Sequence, residues 1–481
     1  MLRLLKKTLI VLLIVLAVVV AAALTVYWPV LRFARGWGPP VLYRVADLPS
    51  TRESGSIAII GGTLVDGNGG PPLDDSLILI QGERIADVGR RSDITVPPDA
   101  VKIQAAGKTV LPGLIDMHVH LSKGDDLQLF LAAGVTTVRD VGNFTAWVAR
   151  LAAGTRSKEF LGPRIFFSGE SFVHESGFAA WQQPTKDVEE ARAKVRERIA
   201  HGASVIKIVA DITPELAQAI VEEAHRASVP VTADILGNNM VTAECAIGLG
   251  VDGLEHVSGV PQSIRRNGSP ADTSEPVGYN AMFGWLYPDQ QKEQALIASI
   301  VEHGTYVVPT FVVLENQAGV PIPPDPATKY LSRRAATLWT AMSRLPDFGS
   351  NTTEMAFFAQ FAYSQPFVRK LAAAGGRIVA GTDTPTPGLV PGFSLHRELE
   401  LLVQAGLTPM QAIEASTKTA AQFLGRKDQI GTVAAGKLAD VIIVDGALEQ
   451  NIVDIRKVRT VLQGGAVYDA AELSRLSEKK D

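Results

Sequence analysis

Three patterns of hydrophobic and polar residues follow one another along the chain. An almost unbroken apolar run from Thr8 to about Tyr27 comes first. Short runs of alternating character, separated by glycine-rich turns and typical of β-strands, occupy residues 56–111 and return in residues 427–475. Between them, helical stretches are repeatedly followed by a glycine or small residue, a short apolar run and a polar residue.

The first pattern predicts a membrane-spanning signal-anchor within residues 1–30, followed by a Pro- and Gly-rich linker over residues 31–55. Basic residues precede the run, and aromatic residues stand at its end, where an interfacial anchor would lie. Basic residues just beyond it weaken the orientation rule, and small residues within it leave cleavage open. Both alternatives place the body of the protein outside the cytoplasm, either membrane-anchored or exported to the periplasm or extracellular space.

The central pattern predicts a (β/α)8 TIM barrel over residues 112–426. Glycine after a helix commonly ends that helix, and the apolar run after it is typical of a buried parallel strand. Eight such strands can be counted, and their carboxyl ends would form one active-site mouth. The two flanking β segments are expected to pair into a single β-sandwich. Two insertions, roughly 261–289 and 315–365, are consistent with a lid or substrate wall, with plain packing or with a dimer contact.

Composition narrows the class of partner. The chain of 481 residues has a net charge of -4, so no basic surface argues for nucleic acid, and small molecules are the expected partners. A homo-oligomer remains open. Cys245 is the single cysteine, which excludes an intrachain disulfide and a Cys-rich zinc site. Metal ligands must therefore be His, carboxylate or Lys-derived.

Candidate ligands stand at strand ends. His118 and His120 follow an apolar run and share one face of a strand, although such a pair alone arises by chance about as often as it marks a metal site. Lys207 lies in an apolar run where an unpaired ammonium is costly; carboxylated, it could bridge two cations, but alone it could simply reach solvent. His256 and Asp383 end strands six and eight. Together these residues indicate a zinc, manganese or iron site.

These segments resemble the metal-dependent amidohydrolase superfamily over nearly everything from Ser56 onward. The matching runs are Pro112-Gly-Leu-Ile-Asp-Met-His-Val-His120, Val205-Ile-Lys207, Leu254-Glu-His256, Gly381-Thr-Asp383 and the tail Gly431-Thr-Val-Ala-Ala-Gly-Lys-Leu-Ala-Asp440. Two further runs, residues 137–142 and 162–169, are most similar to the imidazolonepropionase-related branch that includes Xaa-Pro dipeptidases. The resemblance implies hydrolysis of amide-like C–N bonds at one or two divalent metals.

The resemblance also implies a ligand set. One metal would be held by His118, His120 and Asp383, the second by His256, and Lys207 would bridge them as N6-carboxylysine. Asp234 stands at the end of strand five, where the resemblance leads us to expect His. A carboxylate can still bind a divalent cation, so an altered binuclear site, a mononuclear enzyme and a catalytically impaired binding paralogue all remain open.

The predicted reaction is attack of a metal-activated hydroxide on the carbonyl of a dipeptide, N-acyl amino acid or cyclic amide, with zinc as the first choice of metal. Asp383 would carry the proton to the leaving amine. A lactonase or esterase is the alternative on the same site. Two residues are candidates for contact with substrate: His174, in the loop after strand three, and Arg139, which could bind a carboxylate or form an internal ion pair.

Overall fold

The computed structural model describes residues 55–121, 127–175, 181–271, 278–320, 325–330 and 351–478. The strands, in chain order, are β1 (Ser56–Leu64), β2 (Leu73–Gln81), β3 (Arg84–Arg90), β4 (Val101–Gln104), β5 (Lys108–Pro112), β6 (Leu114–Val119), β7 (Val135–Asp140), β8 (Arg164–Phe167), β9 (Ser171–Val173), β10 (Gln182–Pro184), β11 (Ile206–Val209), β12 (Val231–Asp234), β13 (Gly253–Glu255), β14 (Tyr306–Val308), β15 (Arg377–Ile378), β16 (Val441–Asp445), β17 (Val458–Gln463) and β18 (Ala466–Asp469).

Helices connect and surround these strands. The α-helices are Leu127–Ala132, Thr145–Arg156, Val188–Ala200, Pro214–Arg226, Ala243–Gly248, Val260–Ile264, Gln290–His303, Phe311–Gln317, Asn351–Ala373, Phe393–Gln404, Pro409–Ala415, Lys418–Phe423 and Ala470–Glu478. The 3-10 helices are Tyr279–Leu286, Pro326–Tyr330 and Ile452–Lys457. Alternation of strand and helix through the middle of the chain gives the α/β architecture expected from the sequence.

The parallel strands β6, β7, β8, β11, β12, β13, β14 and β15 form a ring. Pairing runs from β6 to β8 and from β11 to β15. The Ser204 N–H donates to Phe167 O at 2.9 Å between the β8 and β11 sides, and the Met117 N–H donates to Ala380 O at 3.0 Å between β6 and the segment after β15. Since all eight strands run the same way, their carboxyl ends meet at one mouth.

The barrel is held to its helices by one large apolar cluster. Strand residues such as Val231 and Leu254 pack with helix residues such as Leu216 and Ile220, all of them buried. The helix Pro214–Arg226 shows why these segments are helical: Thr213 caps its amino end by accepting from the Leu216 N–H, and proline occupies its first turn. Its apolar stripe faces the strands.

A second sheet is built from both ends of the described chain. Its strand order is β18-β17-β16-β5-β1-β2-β3, and β4 pairs in parallel with β1. Ile59 and Ile78 from the first part of the chain share an apolar cluster with Val441 and Ile443 from the last part. Because β5 is antiparallel to β16 and leads within two residues into β6, this sheet fixes where the first barrel strand begins.

No membrane-spanning helix is found in the part of the chain that the structure describes. A span needs about 20 consecutive apolar residues, and the longest described helix, Asn351–Ala373, carries Glu354, Gln360, Arg369 and Lys370. The predicted signal-anchor, within residues 1–30, lies outside the described residues. The expectation of a transmembrane helix, and of a membrane-anchored or exported location that rested on it, is corrected to what the described residues show, which is an α/β fold with no helix long and apolar enough to span a membrane.

Candidate metal centre

All six predicted metal ligands lie at the carboxyl ends of barrel strands and come together there. His118 is in β6 and His120 follows it, Asp383 follows β15, Lys207 is in β11, Asp234 ends β12 and His256 follows β13. They form two groups, which we call the His118 half (His118, His120 and Asp383) and the Asp234 half (Lys207, Asp234 and His256).

Short distances join the atoms of each half. In the His118 half, Asp383 Oδ1 lies 3.1 Å from His120 Nε2 and 3.4 Å from His118 Nε2. In the Asp234 half, Asp234 Oδ2 lies 3.4 Å from Lys207 Nζ and 3.5 Å from His256 Nε2. Lys207 Nζ also lies 3.4 Å from His118 Nε2, which connects the halves. Ligand atoms of His118, His256 and Asp383 all fall within 4.8 Å of one another.

Each histidine has its Nδ1 occupied by a partner outside the ligand set. His118 Nδ1 lies 2.7 Å from Glu255 Oε2, and His120 Nδ1 lies 2.9 Å from Gly142 O. His256 Nδ1 lies 2.6 Å from the hydroxyl oxygen of Thr310, whose own proton goes to Pro309 O. These acceptors assign the proton to Nδ1 and leave each Nε2 facing the other ligands, which is the arrangement of metal-binding histidines.

Glu255 is a functional residue that the sequence interpretation did not single out. Its carboxylate is fully buried and accepts from the Arg139 Nη2–H at 2.6 Å as well as from His118. The hydroxyl of Thr232 donates to the same carboxylate. Burial raises the pKa of Glu255, but Arg139 and His118 outweigh it and bring the pKa to about 2. An ionised carboxylate therefore stands behind His118.

Arg139 is not brought to the barrel mouth. Its side chain is 1% exposed; Nε donates to Met117 O at 2.6 Å, and the guanidinium lies 4.6 Å from the ring centre of Phe423. Burial lowers the pKa of Arg139, while Glu255 raises it. The internal ion pair is the alternative that this geometry matches, with Glu255 as its partner.

The polar residues around Asp383 hold the turn that carries it. Asp116 accepts from the Thr382 N–H at 3.1 Å and from the Thr382 hydroxyl at 2.7 Å, while the Asp383 N–H donates to His118 O at 2.7 Å. Burial raises the pKa of Asp116 to about 7, although hydrogen bonds from Thr382 and His118 lower it. Asp116 thus braces the neighbouring strand end through these hydrogen bonds.

The backbone at several strand ends lies in the left-handed region. The residues are Ala210 (φ 47°), His256 (φ 58°), Val257 (φ 53°), Thr310 (φ 49°) and Asp383 (φ 63°). Residues with side chains avoid this region unless their surroundings impose it, and such strain concentrates at functional sites. The local backbone therefore marks the same end of the barrel as the ligand cluster.

Electrostatics differ between the two halves. Burial and the nearby Lys207 lower the pKa of His118, which favours a neutral imidazole. Burial also lowers the pKa of His256, but Asp234 outweighs it and raises that pKa above the usual value. Burial raises the pKa values of Asp234 and Asp383, yet the cationic and imidazole groups around each carboxylate hold both below their usual range. Both aspartates are therefore ionised at neutral pH.

His174 lies near this end of the barrel without touching the ligand cluster through any described contact. It follows β9, where Val173 packs against Val209 and Ala210 at the end of β11, and its backbone N–H donates to Asp211 Oδ1 at 2.8 Å. Trp181, which the sequence interpretation did not select, has its ring centre 5.7 Å from that of His120. An aromatic wall beside a ligand is a recurring feature of small-molecule sites.

Comparisons with known proteins identify the family of the chain and structures that share its fold. A model of the amidohydrolase family matches residues 109–468. Ochratoxinase of Aspergillus niger is 25% identical over 484 residues, covering 85% of each chain. Imidazolonepropionase of Geobacillus kaustophilus is 25% identical over 448 residues, covering 89% of this chain and 93% of its own. A crystal structure of a Xaa-Pro dipeptidase with bound methionine superposes with a TM-score of 0.66, at 24% identity, over 86% of this chain and 100% of the other.

Proposed function

We propose that divalent metal at the barrel mouth supports the reaction of this chain, which belongs to the amidohydrolase family. The chain is a hydrolase of C–N bonds with a small-molecule substrate. The observation that carries the proposal is the direction of the three imidazoles. The Nδ1 atoms of His118, His120 and His256 are bound by Glu255, Gly142 and Thr310, respectively. Each Nε2 faces an ionised aspartate at 3.1 to 3.5 Å. Such Nε2 atoms and carboxylates repel each other unless a proton or a cation lies between them.

The donor set fits a borderline or hard cation. Imidazole and carboxylate together suit zinc, with manganese or iron as the next choices, and zinc is our first choice. When bound, such an ion lowers the pKa of water and polarises a carbonyl oxygen. In this proposal His118, His120 and Asp383 hold one ion, and Asp234 and His256 hold the second.

Lys207 fits a bridging position. Its side chain is 3% exposed, and Nζ lies 3.4 Å from both His118 Nε2 and Asp234 Oδ2, between the halves. We propose that it is carboxylated, because the anionic carbamate can serve two cations at once, whereas an ammonium would keep cations away. Growth with 13C-labelled bicarbonate and 13C NMR of the metal-loaded protein would reveal the carbamate carbon, which Lys207→Met should lack.

The reaction assigns further roles to residues of this chain. Asp383 Oδ1, beside two imidazoles, is placed to accept the proton of the attacking water and pass it to the leaving amine. Glu255 holds the His118 imidazole in one orientation, and Arg139 in turn holds Glu255; both are positioning residues. His174 and Trp181 are the proposed substrate contacts, since Trp181 lies beside His120 and His174 follows β9 near the same end of the barrel.

We propose a dipeptide, N-acyl amino acid or cyclic amide as substrate. The similar proteins named above include a Xaa-Pro dipeptidase and an imidazolonepropionase. The test combines metal analysis of the purified full-length chain with hydrolysis of a panel of N-acyl amino acids, Xaa-Pro dipeptides, cyclic amides and lactones. We expect one or two equivalents of divalent metal and amide cleavage that chelation abolishes and zinc restores. Metal below about a tenth of an equivalent, or lactone cleavage alone, overturns the proposal.

A further inference from the structure

We propose that Gln360, which belongs to one of the two insertions, is a positioning residue that fixes the metal-ligand segment His256-Val257. The inference rests on the proposed function, because it concerns how a proposed ligand is held. It assigns to the insertions a role inside the site: they clamp the backbone on which one ligand sits.

Both the nitrogen and the oxygen of the Gln360 carboxamide form hydrogen bonds. Its side chain is fully buried; Nε2 donates to His256 O at 2.7 Å and approaches Val257 O at 3.2 Å. Its Oε1 accepts from the indole N–H of Trp285 at 2.6 Å. Trp285 belongs to the other insertion and is itself held by an edge-to-face contact with Phe367, 5.8 Å between ring centres. One insertion thus contacts the carbonyl groups of two consecutive residues through Gln360, and the other holds Gln360 through Trp285.

The backbone that Gln360 grips is strained. His256 and Val257 both have positive φ values, 58° and 53°, and a β-branched valine is especially disfavoured there. Such a conformation persists only when surrounding contacts impose it. The hydrogen bonds from Gln360 satisfy carbonyl groups that the left-handed turn removes from regular strand pairing, so they are suited to impose it.

The imidazole of His256 is held from its other end by Thr310. His256 Nδ1 lies 2.6 Å from the Thr310 hydroxyl oxygen, and Thr310 is also in the left-handed region. With the ring fixed by Thr310 and the backbone fixed by Gln360, little freedom remains for Nε2. Loss of the backbone clamp would let the ring leave the position from which it faces Asp234.

A similar clamp at another strand end comes from within the barrel. Asn238 donates to Ala210 O at 2.6 Å and to Ile212 O at 3.0 Å after β11, and it lies in the loop after the adjacent strand β12. Gln360 does the same for β13 from a helix 104 residues away. The comparison indicates that strained strand ends are held by carboxamides in this protein, and that the clamp on His256 depends on the insertions.

The test compares Gln360→Met with Gln463→Met in the full-length chain. Gln463 lies in β17 of the second sheet, is half-buried and also donates to a backbone carbonyl, Thr136 O at 2.9 Å, but neither residue contacts a proposed ligand. Both variants are loaded with Co2+, whose visible d–d absorption reports ligand geometry without any substrate. We expect Gln360→Met to change the spectrum and to weaken metal binding by about 10- to 100-fold, the usual effect of losing an outer partner. Gln463→Met should leave both unchanged.

Trp285→Phe supplies a second, independent variant. It keeps the aromatic packing but removes the N–H that orients Gln360, so it should lower the cobalt affinity by no more than Gln360→Met does. The double variant should bind cobalt no more weakly than Gln360→Met alone. Identical spectra and affinities for wild type and Gln360→Met, or equal losses in Gln360→Met and Gln463→Met, overturn the positioning role. Failure of the wild type to bind cobalt would instead reject the proposed function.

Discussion

The His118 half and the Asp234 half of the site are held in different ways. In the His118 half, neighbouring strands supply the supports: Glu255 binds His118, Gly142 O binds His120, and Asp116 braces the turn before Asp383. In the Asp234 half, His256 is supported from Thr310 and from the distant Gln360. The described contacts of the Lys207 ammonium are with Asp234 and with His118 across the mouth.

This difference indicates how each half of the site would bind a cation. Burial lowers the pKa values of both imidazoles, but at His256 Asp234 outweighs burial and raises the pKa above its ordinary value. Proton release would therefore oppose cation binding more at His256 than at His118. From this contrast and from the different supports, we infer that the His118 half is the more preorganised for a cation, while the Asp234 half depends more on the cation itself and on Gln360.

Asp383→Asn should cost far more activity than Asp234→Asn. In the proposed function Asp383 is both ligand and proton carrier, so the amide variant should lower kcat/KM by about 10²- to 10⁴-fold. Asp234 is proposed as a ligand alone, and we expect a loss of roughly tenfold there, recovered at high metal concentration. Steady-state kinetics across a zinc titration measure both.

Asp93→Asn, on the exposed surface, is the matched control and should behave as wild type. Equal losses in the two site variants would remove the distinction between the halves. Full activity of Asp383→Asn with normal metal content would reject the proton-carrier role.

The His118 half follows from the sequence more directly than its supports do. His118 and His120 are two residues apart on a strand, and Asp383 follows an apolar run with a glycine, so strand alternation and the parallel barrel suffice to bring them together. The amidohydrolase family was likewise predicted correctly from these runs. Asp234 was selected because it ends strand five, where the resemblance to amidohydrolases leads us to expect histidine, although nothing in the sequence explains that departure.

The supports were missed for a physical reason. Glu255 directly precedes His256, and strict alternation would put the two side chains on opposite faces of the strand. The left-handed conformation of His256 breaks that alternation, and nothing in the sequence announces it. Thr310 and Gln360 reach the site from 54 and 104 residues away, through hydrogen bonds that periodicity cannot reveal. A carboxylate inside a buried strand, such as Glu255, was nevertheless a signal that a cationic partner had to exist.

Arg139→Met should destabilise the protein strongly by removing the support behind His118. The variant leaves the buried Glu255 carboxylate without its cation, and breaking a buried ion pair in this way costs about 3–5 kcal/mol. Urea unfolding followed by circular dichroism of metal-free protein measures the loss.

Arg150→Met provides the contrast for this effect. Arg150 forms a 2.6 Å pair with Glu159, but its side chain is 54% exposed, so the free energy of unfolding should change far less than in Arg139→Met. If Arg139→Met cost no more than Arg150→Met, the His118 half would not depend on the buried pair, and the contrast between the halves would weaken.

Glu398→Gln should change how stability depends on pH, through the segment that supports Thr310. Glu398 is fully buried and accepts from the Val312 N–H at 2.8 Å, at the start of the helix that follows Thr310. Burial raises the pKa of Glu398 to about 8. Because the folded pKa exceeds the unfolded one, the carboxyl contributes stability that is present below its ordinary pKa and is lost as pH rises through about 8.

Glutamine cannot ionise, so the melting temperature of Glu398→Gln should rise relative to that of wild type by roughly 2–5 °C between pH 5 and pH 9. Differential scanning calorimetry of metal-free protein measures the difference, and Glu302→Gln on an exposed helix face should show none. Since Glu398 accepts from the start of the helix after Thr310, deprotonation would bury a negative charge beside the segment that supports His256. A melting difference that stays constant with pH would show that the Asp234 half has no such titrating support.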